Sequence, residues 1–167
     1  RCELQARVRL HALETSPGKV PPPSGAILAF NRFLTFNPSL CIRCQRCVGA
    51  CNNAAGNHTL VSGKAGLRTT ILAPFGRDWK STNCESCGSC AAACPTGAIT
   101  MKRRRAYRSW EIKKVRTTCP HCATGCQYDL IVKDGRIVDT EAADGPTNHG
   151  LLSVKGRSAS FDFVPTD

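Results

Sequence analysis

Cys41-Ile42-Arg43-Cys44-Gln45-Arg46-Cys47-Val48-Gly49-Ala50-Cys51 and Cys84-Glu85-Ser86-Cys87-Gly88-Ser89-Cys90-Ala91-Ala92-Ala93-Cys94 are two copies of one pattern, C-x2-C-x2-C-x3-C. The second copy runs straight into Pro95, and together they hold eight of the twelve cysteines. Runs this tight suit metal-bound thiolate loops better than a disulfide framework. A loop with cysteines at such intervals wraps one cube and offers three sulfurs to three irons. The fourth cysteine lies past the loop, at the expected start of a short helix, where it faces a neighbouring cube. The eight residues are therefore expected to bind two [4Fe–4S] clusters, which implies electron-transfer chemistry.

The doubled spacing with its following proline resembles that of the bacterial two-cluster ferredoxins. The resemblance implies crossed ligation, with Cys41, Cys44, Cys47 and Cys94 on one cube and Cys84, Cys87, Cys90 and Cys51 on the other. Residues 36–100 are read as this two-cluster module, an internal repeat with pseudo-two-fold symmetry. Asn37-Pro38-Ser39 is a turn into the first run. The 32 residues from Asn52 to Asn83 exceed what a minimal module needs. Within them Leu67 to Leu72 is expected to pair with Thr59 to Val61 around Gly63 and Gly66. Pro95 to Ile99 turns the chain into a last strand.

Composition narrows the function classes. The chain has 167 residues and begins at Arg1, as a processed chain or a fragment would. Its 41% hydrophobic content includes all the cysteines, and only 6% is aromatic, so little apolar surface is left for a core. Folding is expected to depend on metal. The formal charge of +11, from 23 Lys and Arg against 12 Asp and Glu, counts cysteine as neutral. An oxidised four-thiolate cube carries about −2, so much of the basic excess is counter-charge. The run Lys102, Arg103, Arg104, Arg105, Arg108 lacks the aromatic platform of a nucleic-acid site, and no nucleic-acid partner is expected. No stretch reaches the roughly 18 apolar residues of a membrane span. Cluster chemistry points to a reducing, cytoplasmic compartment.

Outside the doubled motif, residues 1–35 read as a connector. A short helix is expected from Cys2 to Leu13, before the punctuation of Pro17, Gly18 and Pro21 to Gly25. Residues 101–116 read as a basic linker. From Thr117 the pattern alternates, and Asp134-Gly135 is a strong turn signal, so Gln127 to Thr140 is read as a β-hairpin. Just before it stands Cys119-x2-Cys122-x3-Cys126, again metal-ligand spacing but one thiolate short of an ordinary cube.

This third motif, its hairpin and Ser153-Val154-Lys155-Gly156-Arg157 together resemble the N-terminal iron–sulfur segment of the molybdopterin oxidoreductases. That family has C-x2-C-x3-C, a hairpin, then C-x-K-G. Serine stands where the family has its fourth ligand, with 26 residues between it and Cys126. Cys119-Pro120-His121-Cys122, Gly125-Cys126, Lys133 to Val138, Gly145-Pro146 and Asn148-His149-Gly150 narrow the resemblance to the catalytic alpha subunit of NAD-linked formate dehydrogenases. The fold implied is α+β, a two-cluster ferredoxin-like module followed by a small hairpin-containing [4Fe–4S] domain over residues 117–167.

The resemblance implies a third cluster on Cys119, Cys122 and Cys126, with Ser153 at its fourth corner. A hard serine oxygen there would loosen one iron; a three-iron form and a water-bound iron are alternatives. Lys155 and Gly156 would lie between this cluster and a pterin. Cys2 would be the tail of a preceding cluster motif, against the reading of a leftover thiol. His149 reads as a loop histidine, with replacement ligand as its alternative. Mo or W pterin, flavin and NAD would belong to a catalytic domain beyond Asp167 or to partner subunits. The chain alone is expected to relay electrons without oxidising formate. A hydrogenase or NADH dehydrogenase-type subunit shares the layout, and a free polyferredoxin is the non-enzymatic rival.

Overall fold

A computed structural model describes residues 10–12, 25–102 and 107–158. Cys2, most of the expected first helix, Pro17 to Pro23 and Arg103 to Arg105 lie outside the described residues. The described chain mixes short helices with antiparallel strands in two modules.

The first module is built around a three-stranded sheet of order β1-β2-β5, made of β1 (Leu28–Ala29), β2 (Leu34–Phe36) and β5 (Ile99–Met101). Register pairs Leu34 with Met101 and Phe36 with Ile99. Asn31 makes the β1–β2 turn, its Oδ1 accepting from Phe33 N at 2.9 Å and Leu34 N at 3.0 Å. The module therefore starts before residue 36, and the last part of the stretch read as a connector belongs to it. Between β2 and β5 a second hairpin joins β3 (Val61–Gly63) to β4 (Thr70–Leu72). It forms near the expected place, but its first strand starts at Val61 rather than Thr59. Gly63 leaves room for Leu72 across the pair, since a Cβ would meet Leu72 Cδ1 at 2.3 Å and turn that side chain aside.

Two short helices carry the cysteine runs. They are α1 (Arg46–Gly49), which widens into a π turn over Ala50–Ala54, and α2 (Ser89–Ala93). The helices start before the fourth cysteines, not at them. Cys51 lies in the π turn, and Cys94 is the C-cap of α2. The sequence repeat is also a backbone repeat. Arg43 and Gln45 in the first loop have φ of 60° and 59°, and Ser86 and Gly88 at the matching positions of the second have 58° and 75°. Left-handed backbone at three non-glycine residues is costly and tends to be kept where a site needs it. The core joins Phe30, Leu34, Phe36, Leu60, Ile71 and Ile99 to Cys47, Cys51 and Cys90. Trp79 stacks on Phe30 at 4.0 Å and covers one side.

The second module is a three-stranded antiparallel sheet of order β6-β7-β8, from β6 (Lys113–Thr118), β7 (Gln127–Lys133) and β8 (Arg136–Ala142). Asp134 and Gly135, at φ of 51° and 76°, make the tight turn expected between β7 and β8. β6 corrects the reading of 101–116 as a linker, since its first four residues belong to the sheet. Tyr128 and Ile131 are buried, and Leu152 packs with Tyr128 over Cys119. Helix α3 (Val154–Ser158) closes on β8, where Thr140 Oγ1 donates to Gly156 O at 2.9 Å. Gly156 leaves room for Leu152, whose Cδ1 would lie 2.6 Å from a Cβ there. No helix among the described residues is long and apolar enough to cross a membrane.

Candidate iron–sulfur centres

The eight cysteines of the doubled motif line two separate cavities, and each cavity takes cysteines from both runs. One is lined by Cys84, Cys87 and Cys90 with Cys51, closed by Phe30, Leu34, Leu60 and Trp79. The other is lined by Cys41, Cys44 and Cys47 with Cys94, closed by Phe36, Ile71 and Ile99. The exchange follows from the helices. α1 carries Cys47 near its start, and the π turn that continues it delivers Cys51 one turn further along the axis. α2 likewise carries Cys90 near its start and ends at Cys94. Because α1 and α2 pack together, each helix end reaches the other loop's cavity.

Both walls are apolar, and this sets the thiol chemistry. Burial pushes Cys47 up to about 11, helped by the charges of Cys41, Cys94 and Cys44. Burial also raises Cys90, with Cys87, Cys84 and Cys51 adding to it. Burial acts to raise Cys94 too, but hydrogen bonds from the backbone of Ile99, Thr96 and Ala98 and from the Thr96 side chain outweigh it. Four thiols crowded in apolar surroundings are a poor resting state. They fit a cation that displaces their protons into solvent and shares the charge of the thiolates, as bound iron does. Among the described residues no three His, Cys, Asp or Glu side chains are gathered closely enough for a single metal ion. Sulfurs that bind different irons of one cube are necessarily spread over a wall.

Polar groups reach several sulfurs from outside. Asn31 Nδ2 donates to Cys84 Sγ at 3.4 Å, and the buried Thr59 hydroxyl lies 3.4 Å from Cys51 Sγ. Arg43 N donates to Cys41 Sγ at 3.4 Å across its left-handed turn. None of these was singled out from sequence. Only their placement in the fold aims them at sulfur.

At the third motif, Cys119 is buried at the mouth of the sheet, Cys126 is half-buried and Cys122 is exposed. Cys119 N donates to Cys126 O at 2.8 Å, closing the loop between them. The three are close in space, since Cys126 is raised by burial and then by Cys119 and Cys122. Cys122 is lowered, first by the Thr124 hydroxyl at 3.3 Å, then by Thr124 N–H, and less by Lys155. Lys155 is therefore near enough for its charge to act on Cys122. Ser153 caps α3, its Oγ accepting from Gly156 N at 3.5 Å and its carbonyl from Arg157 N at 3.1 Å. The ring of His149 is exposed, while its N–H donates to Gly145 O at 3.0 Å.

Asn148 holds the loop from β8 to α3 and was legible only as part of a motif. Its Nδ2 donates to Gln127 O at 3.1 Å, Ala143 O at 2.9 Å and Leu151 O at 2.8 Å. Its Oδ1 accepts from Gln127 N at 3.0 Å, directly after Cys126.

Residues 40–98 match the 4Fe-4S dicluster domain, and residues 112–162 match the molybdopterin oxidoreductase Fe4S4 domain. The chain carries 4Fe-4S electron-transfer domains of the molybdopterin oxidoreductase type. The second G-type component of the NADH-quinone oxidoreductase of Rhizobium meliloti (strain 1021) is 29% identical over 167 residues, 98% of this chain and 19% of that protein. The alpha component of the NADPH-Fe(3+) oxidoreductase of Geobacter sulfurreducens is 34% identical over 122 residues, 72% of this chain and 14% of that one. Formate dehydrogenase H of Escherichia coli (strain K12) is 56% identical over 53 residues, 32% of this chain and 7% of that one. The chain therefore spans less than a fifth of the length of these relatives.

Proposed function

We propose that this chain is the wiring portion of a formate dehydrogenase-like oxidoreductase, an electron relay between a metallopterin site and a flavin and NAD partner. The observation that carries it is the pair of adjoining cysteine-lined cavities, with a third cysteine site at the mouth of a sheet that touches the same module. Cys41, Cys44, Cys47 and Cys94 hold one [4Fe–4S] cluster, and Cys84, Cys87, Cys90 and Cys51 hold the second. Cys119, Cys122 and Cys126 hold a third, with Ser153 at its open corner. Bound clusters would supply one-electron carriers.

The chain's own residues set the conditions. Phe30, Trp79, Phe36 and Ile71 keep water from the cavities. Asn31 donates to Cys84, and the Thr59 hydroxyl stands 3.4 Å from Cys51, placed to donate once that sulfur is a thiolate; such bonds favour the reduced, more negative state. Lys155 places a fixed positive charge beside the third site, on the side where the pterin of the catalytic domain would bind. The partners are the metallopterin domain and the flavin- and NAD-binding subunits, and the compartment is cytoplasmic. Formate oxidation itself needs the metallopterin domain, so this polypeptide alone relays electrons without turning formate over.

A second reading has its own support. The Rhizobium relative matches over nearly the whole chain, which favours the same wiring in a NADH dehydrogenase-type complex. Expression with the neighbouring subunits, followed by pterin analysis and assay with formate and with NADH, separates the two. Iron analysis tests the relay itself. About 12 irons per chain are expected for three cubes, against about 8 for two. A count of about 8, unchanged in Ser153→Cys, removes the third cluster.

A further inference from the structure

Arg157 leaves its own module. It sits on α3, four residues after Ser153, yet its side chain crosses to the loop between Cys87 and Cys90. A Cβ built on Gly88 would lie 2.8 Å from Arg157 Cδ and 3.3 Å from Nε. Gly88 is buried with a φ of +75°, so glycine there both makes the left-handed turn and leaves room for the arginine. The guanidinium Nε is buried and has no hydrogen-bond partner.

The acidic groups in the surrounding groove are already engaged. Asp139 accepts from Tyr107 Oη at 3.0 Å and from Thr140 N at 2.9 Å, and Glu141 pairs with Lys114. A buried cationic N–H without a partner is costly. Guanidinium does not escape that cost by losing its proton. The groups of the first module whose charge acts on it are the sulfurs of Cys87 and Cys90, which are negative once they ligate iron.

We infer that Arg157 is the built-in counter-charge of the cluster held by Cys84, Cys87, Cys90 and Cys51, supplied by the second module to raise that cluster's reduction potential. This rests on the ligand assignment proposed above. Each one-electron reduction makes the cube more negative by one charge, from about −2 to about −3, with no proton taken up. A fixed cation at contact range favours the more negative state. Because α3 also carries Lys155 and follows directly on Ser153, the same five-residue helix would set the charge around two neighbouring centres. Arg157 is thus a positioning charge, not a ligand.

The test is a redox titration of the full chain loaded with clusters, followed by electron paramagnetic resonance, in Arg157→Met and Arg157→Lys. In Arg157→Met one cube should become harder to reduce by about tenfold in its one-electron equilibrium, about 59 mV, while the cube of Cys41, Cys44, Cys47 and Cys94 stays put. Arg157→Lys should stay near the parent value. If the Met variant fails to load that cube and the Lys variant loads it, the need for counter-charge is also shown. Unmoved midpoints in Arg157→Met, an equal shift in Arg157→Lys, or failure of both variants to load would overturn the inference. In the first of these the parent still shows both cubes, so the ligand assignment survives. A parent chain lacking the second cube would overturn the assignment and this inference together.

Discussion

The two modules use cysteine in opposite ways. In the first, residues 25–102, Cys47, Cys51 and Cys90 are part of the core, and the sheet behind them has strands of only two or three residues. In the second, residues 107–158, seven-residue strands β7 and β8 form the frame, and cysteines cluster at one end, with Cys122 exposed. Clusters bound as proposed would complete the core of the first module, whereas in the second a frame already exists and metal would attach to its mouth. A core as small as the first rarely supplies more than about 3–5 kcal/mol unaided, so metal loss should divide the molecule along this line.

The largest expected effect follows directly. Chelating the iron under anaerobic conditions should abolish amide protection throughout β1, β2, β5, α1 and α2, because their shared core contains the emptied thiols. Protection in β7 and β8 should survive, at most reduced near Cys126. Hydrogen exchange followed by mass spectrometry reads both regions at once. Equal loss in the two modules would end the contrast.

Next in size is the exchange of ligands between the two runs. Cys51→Ala should empty the cavity of Cys84, Cys87 and Cys90, the partners distant in sequence, and spare the cluster of its own run. Cys94→Ala should do the reverse. Spectroscopy of the reduced variants, combined with a second change of Cys44→Ala or Cys87→Ala, identifies which cube remains. If Cys51→Ala and Cys44→Ala together still leave one intact cube, Cys51 belongs to its own run's cluster.

The same contrast explains what could be read from sequence. The cysteine runs were legible because loop ligation fixes their spacing, and the β7–β8 hairpin because Asp134-Gly135 and the alternation around Tyr128 and Leu130 are local. β6 was not. Five of its six residues are exposed, so Lys113-Lys114-Val115-Arg116-Thr117-Thr118 shows no buried face. It is an edge strand held by backbone pairing and cross-strand charge, with Arg116 Nε on Asp129 at 2.5 Å. β1 is too short for any period. The π turn carrying Cys51 leaves no sequence mark either, and so the fourth cysteines were expected at helix starts. Asn148 and Arg157 gain their roles only from partners distant in sequence.

A smaller effect sharpens the view that the second module stands on its own frame. Asn148→Ala leaves the backbone groups of Gln127, Ala143 and Leu151 without their side-chain partner. Leaving a buried group unsatisfied costs about 1–3 kcal/mol. Thermal unfolding should show that loss in the sheet, with the two cubes' spectra unchanged. A loss of cube signal in this variant would tie the first module to the second more closely than the contrast allows.

The smallest expected effect concerns the Glu111–Lys133 pair, which joins the chain before β6 to the end of β7 at 2.8 Å. The Lys133 ammonium, and then Arg108 N–H, hold the Glu111 carboxyl below its usual range, and Glu111 in turn raises Lys133. A lowered carboxylate contributes stability that is complete above its unfolded value and is lost as pH falls through the folded one. A raised lysine contributes below its unfolded value and loses it as pH rises through the folded one. The stability difference between parent and Glu111→Gln should therefore be flat from about pH 5 to about pH 10 and close at both ends. The pair is solvent-exposed, so the plateau is small and added salt should shrink it. Melting both proteins over a pH series at low and high salt gives the profile, and subtraction cancels any acid loss of iron common to the two. A difference that widened on acidification would mean that Glu111 stabilises the sheet in its protonated form, and the frame would then owe nothing to this pair's charge.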